Sequence, residues 1–276
     1  MTVVVSTPPT PGAEPDDYQR YRPKSKTDQW ICWWSILIFY NLFGLIFVVL
    51  TRVMPPPSPH LSTGQIVHFF QVHSLTIKIG FGLLMVVIGF SSWANGLVVF
   101  HMKRMSVGSV WAYSYIAALA VGALPGCLFA ALCFLTAVFR PDRNPHIMAL
   151  LYDMGLLMFV GSLGCFATMY LVFALAILLD KNKIFPKWLA YVTIWQIVTE
   201  VMAAPVFIFK RGPFSWNGSI SFWQGTVIFV IWEVCVVFVL YKAIREQPPR
   251  ETDAGLLMRS ASRIRARRGH EVTADS

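Results

Sequence analysis

Residues 110–139 read VWAYSYIAALAVGALPGCLFAALCFLTAVF, a run that holds no Asp, Glu, Lys or Arg. A helix needs about 20 apolar residues to cross a hydrocarbon core roughly 30 Å thick. This stretch exceeds that, so a helix built from it must tilt, kink or project beyond the bilayer. Five blocks of the same character surround it: Trp30 to Thr51 and Ile79 to His101 before it, and Ile147 to Leu179, Trp188 to Phe209 and Phe222 to Tyr241 after it. The fourth is again longer than the core requires. The expected fold is all-α, a six-transmembrane-helix bundle over residues 30–245. Disordered tails are expected at 1–29 and, strongly basic, at 246–276. No repeat of 20–50 residues is visible.

Composition agrees with this reading. Apolar residues make up 56% of the chain and charged residues 13%, against about 25% charged in an ordinary soluble domain. Such a chain cannot solvate a globular surface, which excludes a sizeable soluble domain. The five cysteines, Cys32, Cys127, Cys133, Cys165 and Cys235, all fall inside apolar blocks without metal-type spacing. They read as small packing residues. The first 29 residues carry Pro8, Pro9, Pro11, Glu14, Asp16, Asp17 and Arg20 and lack the apolar stretch of a secretory signal, so the N-terminus is expected to be neither cleaved nor exported.

Basic residues set the expected orientation. Of the 23 Lys and Arg, 17 fall before the first block, after the second, after the fourth or from Lys242 onward. The other six are Arg52, Lys78, Arg140, Arg143, Lys210 and Arg211. The richer side is expected to be cytoplasmic, which places both termini inside. Trp30, Trp33, Trp34, Trp111, Trp188, Trp216 and Trp223 lie near block ends, where indoles anchor at the headgroup region. In the C-terminal tail Arg259, Arg263, Arg265, Arg267 and Arg268 suit contact with anionic lipid, though a disordered, solvated tail that enforces topology is the favoured explanation. No nucleic-acid partner is expected.

The third block repeats small residues at Ala118, Gly122, Gly126 and Ala130. This stripe admits a close helix neighbour, within the chain or in a homo-oligomer. Pro125 removes a hydrogen bond to the carbonyl of Val121, which predicts a kink.

Polar residues mark two candidate sites. Glu200 and Glu233 are the acidic residues deepest in the apolar blocks, about 18 Å and about 14 Å from the cytoplasmic boundary at 1.5 Å per residue. An ionised carboxylate there costs at least about 2.5 kcal/mol, and no Lys or Arg is expected at that depth, so at least one should carry its proton at neutral pH. Asn41 and Gln196 fall at comparable depth and would complete a hydrogen-bonded cluster, while Pro205 frees the carbonyl of Val201 beside Glu200. The bland alternative is that each Glu bonds separately to a neighbouring helix. The second candidate is the mouth of an outward-facing pocket, drawn from His73, Lys78, Arg140, Arg143, His146 and Asp153. There Asp153 is expected to pair with Arg140, Arg143 or Lys78. The bland alternative is a charge-paired structural corner. In the first outer loop, Ser62 is placed to cap a helix that carries His68 and His73 and continues into the second block. Histidines five residues apart do not converge on one metal, and no metal site is expected.

The segments PPPSPHLS, FRPDRNPH followed by LLYDMG, IFPKWLAYVTIW and FKRGPFSWNG, taken in order over roughly residues 30–245, resemble an uncharacterised family of bacterial six-helix integral membrane proteins. The resemblance implies a bacterial plasma membrane location and carries no activity, cofactor or site residue. The chain contains no Walker, HExxH, GxSxG or Rossmann signature. Haem ligation needs histidines near both membrane surfaces, and only His101 serves the inner side, so no cofactor is expected. Three functions compete. The first is transport or handling of a small molecule, proton or cation. The second is a membrane-embedded enzyme acting on a lipid or apolar substrate at the outer leaflet through His73, His146 and Asp153. The third is a non-catalytic scaffold.

Overall fold

Each apolar block folds as helix, because in lipid the backbone must satisfy its own hydrogen bonds within the segment. The computed structural model describes residues 26–161 and 163–248. The basic tail proposed to meet anionic lipid and nearly all of the N-terminal tail lie outside these residues. Among the described residues the chain is all-helical and has no strand. Six helical spans are long and apolar enough to cross a membrane: Thr27–Val49, Ser74–Met102, Val110–Phe139, Pro145–Leu179, Lys187–Phe207 and Ser219–Glu246. The chain is therefore a multipass membrane protein by length and composition of its helices. The sixth span outruns its apolar block because Lys242 and Arg245 end the hydrophobic run without ending the helix.

Four spans are interrupted, each at an identifiable place. The second consists of Ser74–Val87 and Phe90–Met102, separated by a turn at Ile88 and Gly89. The third loosens into a π-helix over Leu119–Ala123, just before Pro125, where the sequence predicts a kink. The sixth opens with a π-helix over Ser219–Gln224. In the fifth, Pro205 ends the α-helix at Ala203 and passes the chain into a 3-10 turn, Ala204–Phe207. The Val201 carbonyl, expected to be left free beside Glu200, accepts instead from the Ala204 N–H. Tightening the last turn supplies an i+3 donor where proline withholds the i+4 one.

A separate helix, Thr63–Val72, follows the proline-rich loop. Ser62 caps it as expected, in a reciprocal box: the Ser62 hydroxyl accepts from the Gln65 N–H (3.4 Å) and the Gln65 side chain accepts from the Ser62 N–H (2.8 Å). It does not run into the second span. His73, at φ −103° and ψ 10°, breaks the path, and a new helix starts at Ser74.

The chain divides into two compact units. In the smaller, described at 26–28 and 244–248, the Lys26 ammonium donates to the carbonyls of Ile244 (2.6 Å) and Arg245 (3.2 Å). The larger, Gln29–Ala243, holds the core. Its closest backbone packing links the second to the third span, the third to the fourth, and the fourth to the fifth. Gly126 and Ala130 of the small-residue stripe are buried inside this packing. At Gly80 a Cβ would fall 2.9 Å from the backbone of Leu50 and Thr51, so the second span passes the end of the first where only glycine fits. The first and sixth spans are joined by large side chains. The Trp33 indole N–H donates to the Val237 carbonyl (3.0 Å), and the rings of Trp30 and Trp33 each lie 5.4 Å from Tyr241.

Candidate functional site

Where bulky residues hold helices apart, room is left between them. A small cavity, with room for about one water molecule, opens between the first, second, third and sixth spans, lined by Ile36, Tyr40, Ala94, Asn95, Val98, Tyr115, Trp232, Glu233, Val236 and Leu240. None of these described lining residues is Lys or Arg. Tyr40 donates its hydroxyl hydrogen bond to the Glu233 carboxylate. Across the cavity, the Tyr115 hydroxyl donates to Asn95 Oδ1 (2.8 Å). The Trp232 indole N–H donates to Thr193 Oγ1 of the fifth span (2.9 Å), and that hydroxyl donates to the Leu189 carbonyl (2.7 Å). Trp232 is held further by edge contacts with Tyr170 (4.9 Å) and Phe173 (6.2 Å).

Glu200 lies on the fifth span, where the Gln196 amide donates to its Oε1 (2.8 Å) one helical turn away. It sits thirteen residues from Lys187, and Glu233 sits thirteen from Glu246, so both lie about 20 Å along their helices from the same end. Both are half-buried. They do not bond each other. Tyr170, fully buried on the fourth span, interacts electrostatically with both. The Tyr170 hydroxyl and Gln196 Oε1 are buried and make no hydrogen bond among the described residues. Such orphaned polar groups are uncommon in folded proteins and call for a partner such as water or a ligand. Asn41 stands apart: it is exposed on the first span and donates to the Leu37 carbonyl of its own preceding turn (2.8 Å). Thus Glu200 is bonded to Gln196 on the fifth span, Glu233 stands with Tyr40 beside the cavity, and Asn41 is joined to neither.

The second candidate is dispersed. Lys78, Arg140, His146 and Asp153 are exposed, and His73 and Arg143 are half-buried. His73 packs its ring 5.2 Å from Phe69, and the His146 N–H donates to Asn144 Oδ1 (2.9 Å). The cation that acts on Asp153 is Lys210, in place of the expected Arg140, Arg143 or Lys78. The first and fifth outer loops are tied to the fourth span by aromatic donors and not by ion pairs. Tyr152 donates to the Ser58 carbonyl (3.0 Å), Trp216 donates to the Pro57 carbonyl (2.8 Å), and the two rings meet edge-on at 5.9 Å. Trp216, expected as an interfacial anchor, is 6% exposed and serves as a bolt across the loops. Proline carbonyls have no amide hydrogen of their own residue to offer in exchange, so the extended loop accepts donors from side chains.

At the end where the second and fourth spans finish, Asp180 is buried and saturated. It accepts from the Ser106 N–H (2.7 Å) and hydroxyl (3.0 Å), the Asn182 N–H (2.9 Å) and the Ile184 N–H (2.9 Å). The Ser106 hydroxyl in turn accepts from the Lys181 N–H (2.7 Å), and the Asn182 amide donates to the Arg104 carbonyl (2.9 Å). Next to this knot the fully buried His101 bonds through Nδ1 to the Arg104 guanidinium (2.8 Å). This knot ties the loop after the second span to the loop after the fourth.

Among the described residues no three His, Cys, Asp or Glu side chains gather as a metal site. Sequence reasoning missed Tyr40, Asn95, Tyr115, Tyr170 and Trp232. Each is a polar-tipped residue inside an apolar block, which is a signal, but only the helix facing shows that all five turn inward. Comparisons with family models, with curated proteins and with solved structures give no match.

Proposed function

We propose that this multipass membrane protein binds and moves a proton or small cation on the intramembrane carboxylates Glu233 and Glu200. One observation carries the reading: Glu233 faces a cavity at membrane depth that has polar partners and no basic residue among its described lining. A carboxylate in hydrocarbon must hold a proton or a cation to be tolerable. Tyr40 offers it a single neutral donor, which orients the group without replacing such a counter-charge. Glu200, Gln196 and Tyr170 extend the polar region toward the fifth span.

In this reading the end carrying both termini, the Asp180 knot and most of the basic residues faces the cytoplasm. The membrane is the plasma membrane of a bacterium, in keeping with the family resemblance. The enzyme reading is less well supported, because no hydrogen bond of His73, His146 or Asp153 runs to another member of that set.

The test is reconstitution into liposomes with an entrapped pH-sensitive dye. Under an imposed membrane potential or cation gradient, the wild-type chain is expected to change internal pH. The Glu200→Gln, Glu233→Gln double variant is expected to lose that response while still folding. An unchanged response in the double variant overturns the proposal. Labelling of a cysteine introduced at Ser58 or Asn144 checks the orientation, and is expected in intact cells without permeabilisation.

A further inference from the structure

Resting on the reading just given, we infer that the ion handled at Glu233 and Glu200 is the proton, and that the Tyr170 hydroxyl, bridged by bound water, relays it between the two carboxyl groups. Space is the first constraint. A metal cation gives up its water shell only to several oxygen ligands, commonly about six to eight for calcium. The cavity beside Glu233 has room for about one water molecule. Its side-chain oxygens are the Glu233 carboxylate, two phenols and Asn95 Oδ1, which already accepts from Tyr115. Such a space holds no coordination shell. A proton needs none, since it travels along hydrogen bonds.

The fourth and fifth spans supply the link. They are close neighbours, and Tyr170 lies nine residues before Leu179, where one helix ends, while Gln196 lies nine after Lys187, where the next begins. Both are therefore about 14 Å from the shared end. Helical side chains lean toward the N-terminus of their own helix, so Tyr170 leans from that end toward the level of Glu200, and Glu200 and Gln196 lean back toward it. Tyr170 and Gln196 are fully buried, and neither the Tyr170 hydroxyl nor Gln196 Oε1 has a hydrogen-bond partner among the described residues. One group lacks an acceptor and the other a donor, and a single bridging water supplies both. The Gln196 amide donates to Glu200, which brings that carboxyl within reach of the same water. On its other side the Tyr170 ring rests 4.9 Å from Trp232, the residue before Glu233 and a wall of the cavity. The charged and titratable groups that act on Tyr170 are Glu200, Glu233 and Tyr115, with Tyr40 bonded to Glu233. The transfer balances. The Glu233 carboxyl gives its proton to water in the cavity, that water passes one of its own to the phenol oxygen, the phenol passes its hydrogen to the bridging water, and the bridging water protonates the Glu200 carboxylate. Each relay group ends with as many protons as it began, and one negative charge has moved from Glu200 to Glu233.

The test uses the full-length chain in liposomes with an entrapped pH-sensitive dye, an imposed pH gradient and permeant thiocyanate to balance charge. Wild-type flux is expected to persist when N-methylglucamine replaces sodium and potassium, and to slow in heavy water. Tyr170→Phe keeps the ring against Trp232 and removes only a hydroxyl without a protein partner, so its thermal unfolding should match the wild type. Its proton flux is expected to fall about 100-fold, the lower end of what a positioned proton-transfer group contributes. In infrared difference spectra both carboxyl bands, identified by their loss in Glu200→Gln and Glu233→Gln, should remain in Tyr170→Phe, which marks an intact site with its connection cut. Gln196→Met removes the other end of the water bridge and is expected to lower flux in the same way, which keeps the relay testable if Tyr170→Phe folds poorly. Unchanged flux in a folded Tyr170→Phe or Gln196→Met overturns the relay. If flux depends on Glu233 and Glu200 yet requires sodium or potassium, the proton assignment fails and the cation form of the proposed function stands. If wild-type liposomes show no flux, both fail.

Discussion

Two buried carboxylate regions of this molecule show how environment assigns a task to one functional group. Asp180, where the chain turns after the fourth span, accepts four hydrogen bonds, three from backbone N–H groups and one from a hydroxyl. Its charge is answered entirely by the fold. Glu233 and Glu200, about 20 Å along their helices, have one side-chain donor each among the described residues, Tyr40 and Gln196. The fold supplies them far fewer donors than it supplies Asp180, and the proposed function assigns the remaining compensation to a proton or cation. A carboxylate dedicated to architecture is saturated, while one left with a single neutral donor beside a cavity remains free to exchange its counter-charge.

Substitution at the knot should have the largest effect on stability. Asp180→Ala removes the acceptor of three backbone donors on exposed or half-buried residues, where water replaces part of the lost bonding, so a loss of about 2 kcal/mol is expected in thermal unfolding of the detergent-solubilised chain. A loss under about 1 kcal/mol would dissolve the distinction between the regions. Ser106→Ala removes one donor to Asp180 and the acceptor of the Lys181 N–H, and should cost about 1–2 kcal/mol in the same assay. Glu233→Gln should change stability by no more than about 1 kcal/mol in either direction, because replacing a poorly compensated buried charge by a neutral group is often neutral or stabilising. If it destabilised as much as Asp180→Ala, Glu233 would belong with the architecture. Asn41→Leu marks the lower bound: an exposed side chain bonded only to its own helix should shift stability by less than about 0.5 kcal/mol.

The spans were legible because membrane thickness imposes a length that apolar runs reveal directly. The expected block Val110 to Phe139 coincides with the third span, and the block expected from Trp188 begins within one residue of the helix at Lys187. The cap at Ser62 was legible for the same reason, since its partners lie three residues apart. What the sequence left hidden was facing. Asn41 and Gln196 fall at similar depth, yet one points outward and the other is fully buried. Nothing local distinguishes them. The far loops were misread because arginines and acids stand out in a sequence, whereas Tyr152 and Trp216 look like ordinary apolar and anchoring residues until the carbonyls of Ser58 and Pro57 are placed beside them.

The clasp between Trp33 and Val237 joins residues 204 positions apart. At a synthesis rate of about 5–20 residues per second, the first span waits roughly 10–40 s before its partner emerges. Throughout that interval Tyr40 has no Glu233 to meet, and the cavity has no fourth wall. A nascent chain halted before the sixth span would hold five helices in the membrane yet lack Glu233 and the wall of the cavity that carries it. If Glu233 is the proposed proton or cation site, that site is completed only when the sixth span joins the first.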